Sequence, residues 1–262
     1  MAVRQLAHAF VPRVWGVTDL GPMFQNPGTE RIGEVWIETV PGLPLLVKFL
    51  FTGEKLSVQV HPNDEYARKH GHARGKTEMW HILAAEPGAQ IAAGFRESLT
   101  APQMRRAAES GEIMDLLAWH DARPGDTFFI PAGTVHAIGE GLTLCEIQQE
   151  SDVTYRLYDY GRPRELHLDD GVAVTHLGPG DVRQPARDGV LVRCPEFTTE
   201  RVEIHGEQDL RAEQDQIWIV IAGSGDIAGV PASAGTACHL AGQSDYTVHG
   251  SLTMLRTGAG KS

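Results

Sequence analysis

Residues 56 to 83, "LSVQVHPNDEYARKHGHARGKTEMWHIL", hold Gln59 and His61 two apart on a strand-like run, and Glu78, which chain return brings toward them. Alternation sends Val58 and Val60 to one face and Gln59 and His61 to the other. A polar face pointing inward needs a chemical reason. A second unusual group is Lys48, which interrupts the otherwise apolar "LLVKFLF". Burying an unpaired ammonium is costly. Lys48 is therefore either an edge-strand residue whose stem reaches water or a group held inside for a function. The third signal is "GDTFFIPAGTVHAIG", residues 125 to 139. It reads as a turn, a strand, a Pro-x-Gly corner and His136 projected inward from the next strand.

Such side chains need a scaffold of short strands. Twenty-nine glycines and fifteen prolines punctuate apolar runs such as "GEVWIETV", "TEMWHILAA" and "LTLCEIQQ", the pattern of an all-β sandwich or barrel. One interruption spans Leu99 to Trp119. There Thr100 is followed three residues later by Gln103, a capping-box start, and the chain breaks near Ser110 and Gly111. This predicts two short helices, with another at Asn63 to His70. After about residue 180 the texture turns polar and turn-rich, and weaker strands follow. We expect a first unit over 1–180, carrying the helical insertion 99–119, and a second, smaller β unit over 181–262. "GDTFFIPAG" and "AGTACHLAG" read as one turn in two divergent halves.

Composition narrows the function. With 262 residues and 42% hydrophobic content the chain has a core of its own. No run approaches the roughly 18 apolar residues of a membrane span, and the N-terminus lacks a signal-type apolar stretch. Cys145, Cys194 and Cys238 are scattered and odd in number, which fits a reducing cytoplasm. A formal net charge of −11 without long basic runs argues against nucleic acid or an anionic membrane as partner. A small anionic substrate requires the few cations to gather locally.

The spacing of "GDTFFIPAGTVHAIG" resembles the second motif of the cupin superfamily, small jelly-roll β-barrels that hold a divalent metal on inward side chains. The usual first motif has His-x-His and then Glu. Here Gln59 stands in place of the first histidine, before His61 and Glu78. Gln-x-His-Pro, the later "KTE" at 76 to 78, Pro-Ala-Gly-Thr-x-His, and "EIQQESDVTYRLYDYGRPRELH" together resemble type I phosphomannose isomerase in its short bacterial form. The similarity runs from "ERIGEVWIE" to His167 and fades after residue 180.

The resemblance implies one zinc ion per chain on Gln59, His61, Glu78 and His136, a ligand set with room for a substrate oxygen. It also implies an active site containing Lys48, Lys76, Glu146 and Arg156, with Ser57 as a phosphate-side hydroxyl. Lys48, Lys76 and Arg156 would contact substrate, and all four charged groups are candidates for proton transfer or charge stabilisation. Without the resemblance Arg156 reads as a surface cation paired with Asp152 or Asp159, an interaction of little worth in solvent. The implied reaction interconverts mannose 6-phosphate and fructose 6-phosphate. Two rivals are an iron-dependent cupin dioxygenase, which Gln59 disfavours, and a metal-binding cupin with another sugar or a non-catalytic role, which the four charged groups disfavour. His70 and His72 read as a solvated loop or substrate rim. His81 should face away from Glu78, and His120, His167, His176, His205, His239 and His249 lack partners at ligand spacing.

Overall fold

The computed structural model describes residues 3–180, 182, 184 and 186–260. Its strands are β1 (Val3–Gln5), β2 (His8–Val17), β3 (Ile32–Ile37), β4 (Leu45–Thr52), β5 (Val58–Val60), β6 (Glu78–Ala85), β7 (Gln90–Phe95), β8 (Leu117–Asp121), β9 (Thr127–Ile130), β10 (His136–Ile138), β11 (Leu142–Gln149), β12 (Tyr155–Tyr158), β13 (Val190–Arg193), β14 (Phe197–Ala212), β15 (Gln216–Ile227), β16 (Val230–Ser233), β17 (Ala237–Leu240) and β18 (Ser244–Ala259). The helices are α1 (Asp64–Lys69), α2 (Ala101–Ser110), α3 (Ile113–Leu116) and α4 (Leu168–Val174). The chain is all-β with a short helical insertion, as the sequence implies.

The strands form three sheets. A six-stranded sheet runs β2-β3-β4-β11-β6-β9, a five-stranded sheet runs β12-β5-β10-β7-β8, and a seven-stranded sheet runs β1-β17-β15-β18-β14-β13 with β16 beside β15. Trp80, Phe128 and Leu144 of the six-stranded sheet meet Ile91, Ala93 and Ile138 of the five-stranded sheet in one apolar cluster. Among the described residues no ladder joins these two sheets, so the barrel stays open. On the other face of the six-stranded sheet lies a second cluster. Here Phe49, Met79 and Ile147 pack against Phe197, Ile219 and Leu255 of the seven-stranded sheet.

This layering explains the local sequence. β4 lies between β3 and β11 and is buried along its whole length, so "LLVKFLF" is apolar on both faces. Lys48 is therefore central, and the edge-strand alternative is excluded. On β5, Val58 and Val60 join Met104, Ala107 and Leu157 beneath the helices, leaving Gln59 to the barrel interior. The odd polar face of that strand is its inner one.

The expected helices form. At the start of α2, the Thr100 N–H and hydroxyl donate to Gln103 Oε1 at 2.8 and 2.7 Å. At α1, Asn63 Oδ1 accepts from the Tyr66 N–H at 2.9 Å, a side-chain cap for one of the free N-terminal donors. The helical stretch ends at Leu116, earlier than the expected Trp119, because Leu117 is drawn into β8 opposite Phe95. α4 was not anticipated. It packs on β12 and α2 and completes the cover over the outer face of the five-stranded sheet.

The C-terminal strands are longer than the sequence suggests. β14 and β18 have 16 residues each and pair along their full length. β1 pairs with β17, Val3 opposite Leu240, so this sheet also draws on residues 3–5. Asp181, the expected first residue of the second unit, lies outside the described residues.

Candidate active site

Two cross-strand rows face each other inside the open barrel. In the six-stranded sheet Trp36, Lys48, Glu146 and Trp80 are successive ladder partners from β3 to β6, and Gln148 is opposite Glu78. In the five-stranded sheet Arg156, Gln59 and His136 are opposite one another across β12, β5 and β10. Directly opposed residues point to the same face, so pairing alone gathers Lys48, Glu146, Glu78, Gln148, Arg156, Gln59 and His136. His61 and Lys76 come from the segments flanking α1. The Lys76 N–H donates to Pro62 O at 3.0 Å. Gly75 permits this approach, since a Cβ there would lie 2.4 Å from Pro62 O.

His61, Glu78 and His136 form a buried cluster whose ligand atoms lie within 4.8 Å of one another. His61 Nδ1 lies 2.9 Å from Val153 O, and His136 Nδ1 lies 2.9 Å from Thr134 O. Since carbonyls only accept, both Nδ1 atoms carry the proton, and both Nε2 lone pairs point inward. They lie 3.7 and 3.4 Å from Glu78 Oε1. Glu78 Oε1 accepts no hydrogen bond, while Oε2 is in contact with Lys76 Nζ at 2.7 Å. Two inward nitrogen lone pairs and the open Oε1 of a buried carboxylate are the donor set of a divalent metal. Gln59 joins differently. Its Nε2 lies 3.2 Å from His136 Nε2, and its Oε1 accepts from the Ser57 hydroxyl at 3.4 Å, so the amide must turn over to offer oxygen.

The charges are tightly linked. Burial, reinforced by Lys76, depresses the His61 imidazole to about 3, and burial also lowers His136. Both rings are neutral, as metal ligands must be. Burial opposes ionisation of Glu78, but the neighbouring Lys76 ammonium holds it well below the usual carboxylate range. Burial also opposes the Lys76 ammonium, yet Glu146 and Glu78 hold it above the ordinary value. Glu146 is raised, first by burial and then, against the pull of Lys76, by the charge of Glu78. Its Oε1 is 3.4 Å from Lys48 Nζ and 3.8 Å from Lys76 Nζ, and its Oε2 accepts from Trp80 Nε1 at 3.1 Å.

Beside this cluster opens a cavity of about 550 Å³, lined among others by Trp36, Lys48, Ser57, Gln59, Lys76, Glu146, Arg156 and Arg164. The Arg156 Nη1 donates to Glu165 O at 2.9 Å and its backbone N–H donates to His167 Nδ1 at 3.2 Å. Burial and then Arg164 lower its pKa. Arg164 is gripped from behind by the buried Asp159, with contacts of 2.6 and 2.7 Å.

No family model matches the chain. A mannose-6-phosphate isomerase of Streptococcus mutans is 37% identical over 198 residues, which cover 70% of this chain and 62% of that protein. A putative mannose-6-phosphate isomerase of Bacillus subtilis is 33% identical over 233 residues, covering 81% of this chain and 73% of its own length. The chain belongs to the mannose-6-phosphate isomerase family. The crystal structure of the Bacillus subtilis mannose 6-phosphate isomerase superposes with a TM-score of 0.86 at 28% identity, covering 98% of this chain and 99% of that one. A zinc-bound mannose 6-phosphate isomerase, 15% identical, shares the fold with a TM-score of 0.81 over the whole of both chains. The chain spans about three fifths of the length of the Streptococcus relative.

Of the site residues named from the sequence, Lys48, Ser57, Gln59, Lys76, Glu146 and Arg156 line the cavity, and His61, Glu78 and His136 form the buried cluster. Arg156 forms no ion pair with Asp152 or Asp159 among the described residues, so it is not the surface cation that its sequence alone suggests. His81 does face away from Glu78, buried with Nδ1 3.0 Å from Thr127 Oγ1. Sequence reasoning missed Trp36, whose ring centroid lies 4.6 Å from Lys48 Nζ, and Arg164. The signal for Trp36 was present: Glu34 and Trp36 alternate with buried Val35 and Ile37, the same polar inner face as on β5.

Proposed function

We propose that the chain is a zinc-dependent aldose–ketose isomerase that interconverts mannose 6-phosphate and fructose 6-phosphate in the cytoplasm. We divide it into a catalytic cupin domain over residues 1–180, whose β1 is lent to the C-terminal sheet, and a smaller cupin-like domain over 181–262. The observation that carries this reading is the buried Lys48–Glu146–Lys76 group adjoining the His61–Glu78–His136 cluster. A binding protein has no need of a buried carboxyl group held between two ammonium groups.

His61, Glu78, His136 and a reoriented Gln59 would hold one zinc ion, which when bound supplies a Lewis acid for a substrate oxygen. The reaction moves a proton between C2 and C1. Glu146 is the group suited to take and return it, since its carboxyl lies above the ordinary range. Lys48 and Lys76 meet the negative charge that develops on the enediol oxygens, at fixed positions and out of water. Arg156 and Ser57 hold the phosphate at the cavity mouth, and Arg164 adds a second guanidinium there. Neutral Ser57, together with three cations, fits a sugar phosphate despite the net charge of −11.

The test compares mannose 6-phosphate with mannose at two ionic strengths. The phosphosugar should turn over and its kcat/KM should fall with salt. Mannose should react far more slowly and be nearly insensitive to salt, with the loss in kcat as well as KM. Equal efficiency on both sugars would remove the phosphate role. Binding without turnover would return the cavity to a non-catalytic sugar site.

A further inference from the structure

The seven-stranded sheet repeats the six-stranded one in register. β6 meets β9 with Glu78 opposite Ile130 and Trp80 opposite Phe128, while β15 meets β17 with Gln216 opposite Leu240 and Trp218 opposite Cys238. On the next strand Glu146 is opposite Trp80, and Arg256 is opposite Trp218. One strand further, Lys48 is opposite Glu146, and Glu200 is opposite Arg256. Both central ladders shift register after equivalent pairs, Leu144 with Ile82 and Met254 with Val220. The entering turns agree as well. Gly125 and Gly235 have φ of 91° and 92°, and their N–H groups donate to Ile82 O and Val220 O at 2.8 and 2.9 Å. The two turns noticed in the sequence are structurally equivalent.

Register therefore gives each active-site position a counterpart. Lys48, Lys76, Glu78 and Glu146 become Glu200, Gln214, Gln216 and Arg256, and those four line one pocket of about 290 Å³ together with Arg193 and Arg211. The chemistry is reversed. The metal-side carboxylate is replaced by a neutral amide, and the Lys48–Glu146 pair returns as Glu200–Arg256 with a contact of 2.6 Å. A cation in the place of Glu146, with no imidazole beside it, disfavours a metal. Three arginines meet two carboxylates in this lining, Glu200 and Glu213, and Arg211 contacts both Glu213 at 3.1 Å and, outside the lining, Asp245 at 3.3 Å. Arg256 lies 5.6 Å over the Trp218 ring, and its Nε is buried without a hydrogen-bond partner. Arg193 makes no ion pair among the described residues.

We propose that this pocket is a second, non-catalytic binding site for a phosphate-type oxyanion. Guanidinium forks suit a tetrahedral oxyanion through paired, charge-assisted hydrogen bonds, and Arg256 is held in place by Trp218 and Glu200. The counterpart cavity on the other side of the double sheet supplies the location, and the substitutions supply the change of ligand.

The experiment titrates inorganic phosphate calorimetrically into the Arg156→Ala chain, which weakens anion binding in the catalytic cavity. It is repeated after adding Arg193→Gln or Arg211→Gln. Both arginines are exposed, so these changes leave the core intact. We expect one saturable site per chain, weakened about tenfold by either change, as for loss of one charge-assisted hydrogen bond. Absence of saturable binding to the Arg156→Ala chain, or an affinity indifferent to both changes, would overturn the proposal.

Discussion

Lys48 and Glu146 stand directly opposite each other in the β4–β11 ladder, with Nζ 3.4 Å from Oε1 and both side chains almost wholly buried. Neither strand is at an edge, so hydration cannot easily satisfy these charges. Trp36 covers Lys48, Trp80 donates to Glu146, and Lys76 adds a second cation. A pair of this kind contributes little net stability against an apolar pair of similar size. Its retention in a sheet centre is more simply explained by chemistry than by stability.

Glu146→Gln tests that explanation, since the amide keeps the shape and removes the proton carrier. Turnover should fall by about a hundredfold or more, the usual contribution of a positioned acid–base group. Zinc content and the circular dichroism spectrum should be unchanged. Near-wild-type turnover would make Glu146 only a counter-ion for Lys48 and Lys76.

The metal cluster predicts a different pattern. His61→Ala and His136→Ala should each abolish zinc retention and activity while the sheets persist, because the two rings lie within one cavity wall. Elemental analysis of the purified variants decides this, and full occupancy in both would place the metal elsewhere. Stripping zinc from the wild-type chain should also lower its melting temperature, since a ligand that binds only the folded state stabilises it by mass action.

Much of this site was legible because strand alternation is a strict rule. Gln59 and His61 were marked as inward by their parity with Val58 and Val60, and Lys48 by the apolar residues around it. The two-residue spacing of Lys76 and Glu78 likewise put both in the cavity wall. What stayed hidden depends on long-range pairing. Leu117 had helical neighbours, and only β7 makes it a strand. The long strands β14 and β18 read as weak because their outer halves are polar, and pairing with each other sustains them. Arg164 stood in a quoted motif, but its direction is set by Asp159, which periodicity does not reveal.

Arg156 should act on substrate and not on the fold. Arg156→Ala is expected to lower turnover by at least about tenfold, roughly 1.4 kcal/mol of barrier, with metal content retained. Steady-state kinetics on mannose 6-phosphate provide the check. Unchanged constants would leave its hydrogen bond to Glu165 O as its only role.

The last prediction concerns acid stability and rests on His81, which lies away from the metal cluster. Burial, helped by Arg201 and opposed by Asp126, lowers its pKa from 6.5 to about 4. Between these values the unfolded chain binds a proton that the folded chain refuses, so stability rises with pH across that window and falls as pH drops through it. The full penalty is about 3 kcal/mol at pH 4 and vanishes above pH 7. His81→Gln retains a polar partner for Thr127 Oγ1 but removes the titration. Urea unfolding of both proteins at pH 7 and pH 4 measures the difference, because every other titrating group, including those at the metal cluster, is common to both. The wild-type chain should lose more stability than the variant over this interval, by about 3 kcal/mol. Parallel losses would show that His81 gains its proton in the folded chain as readily as in the unfolded one, and that its burial against β9 carries no electrostatic cost.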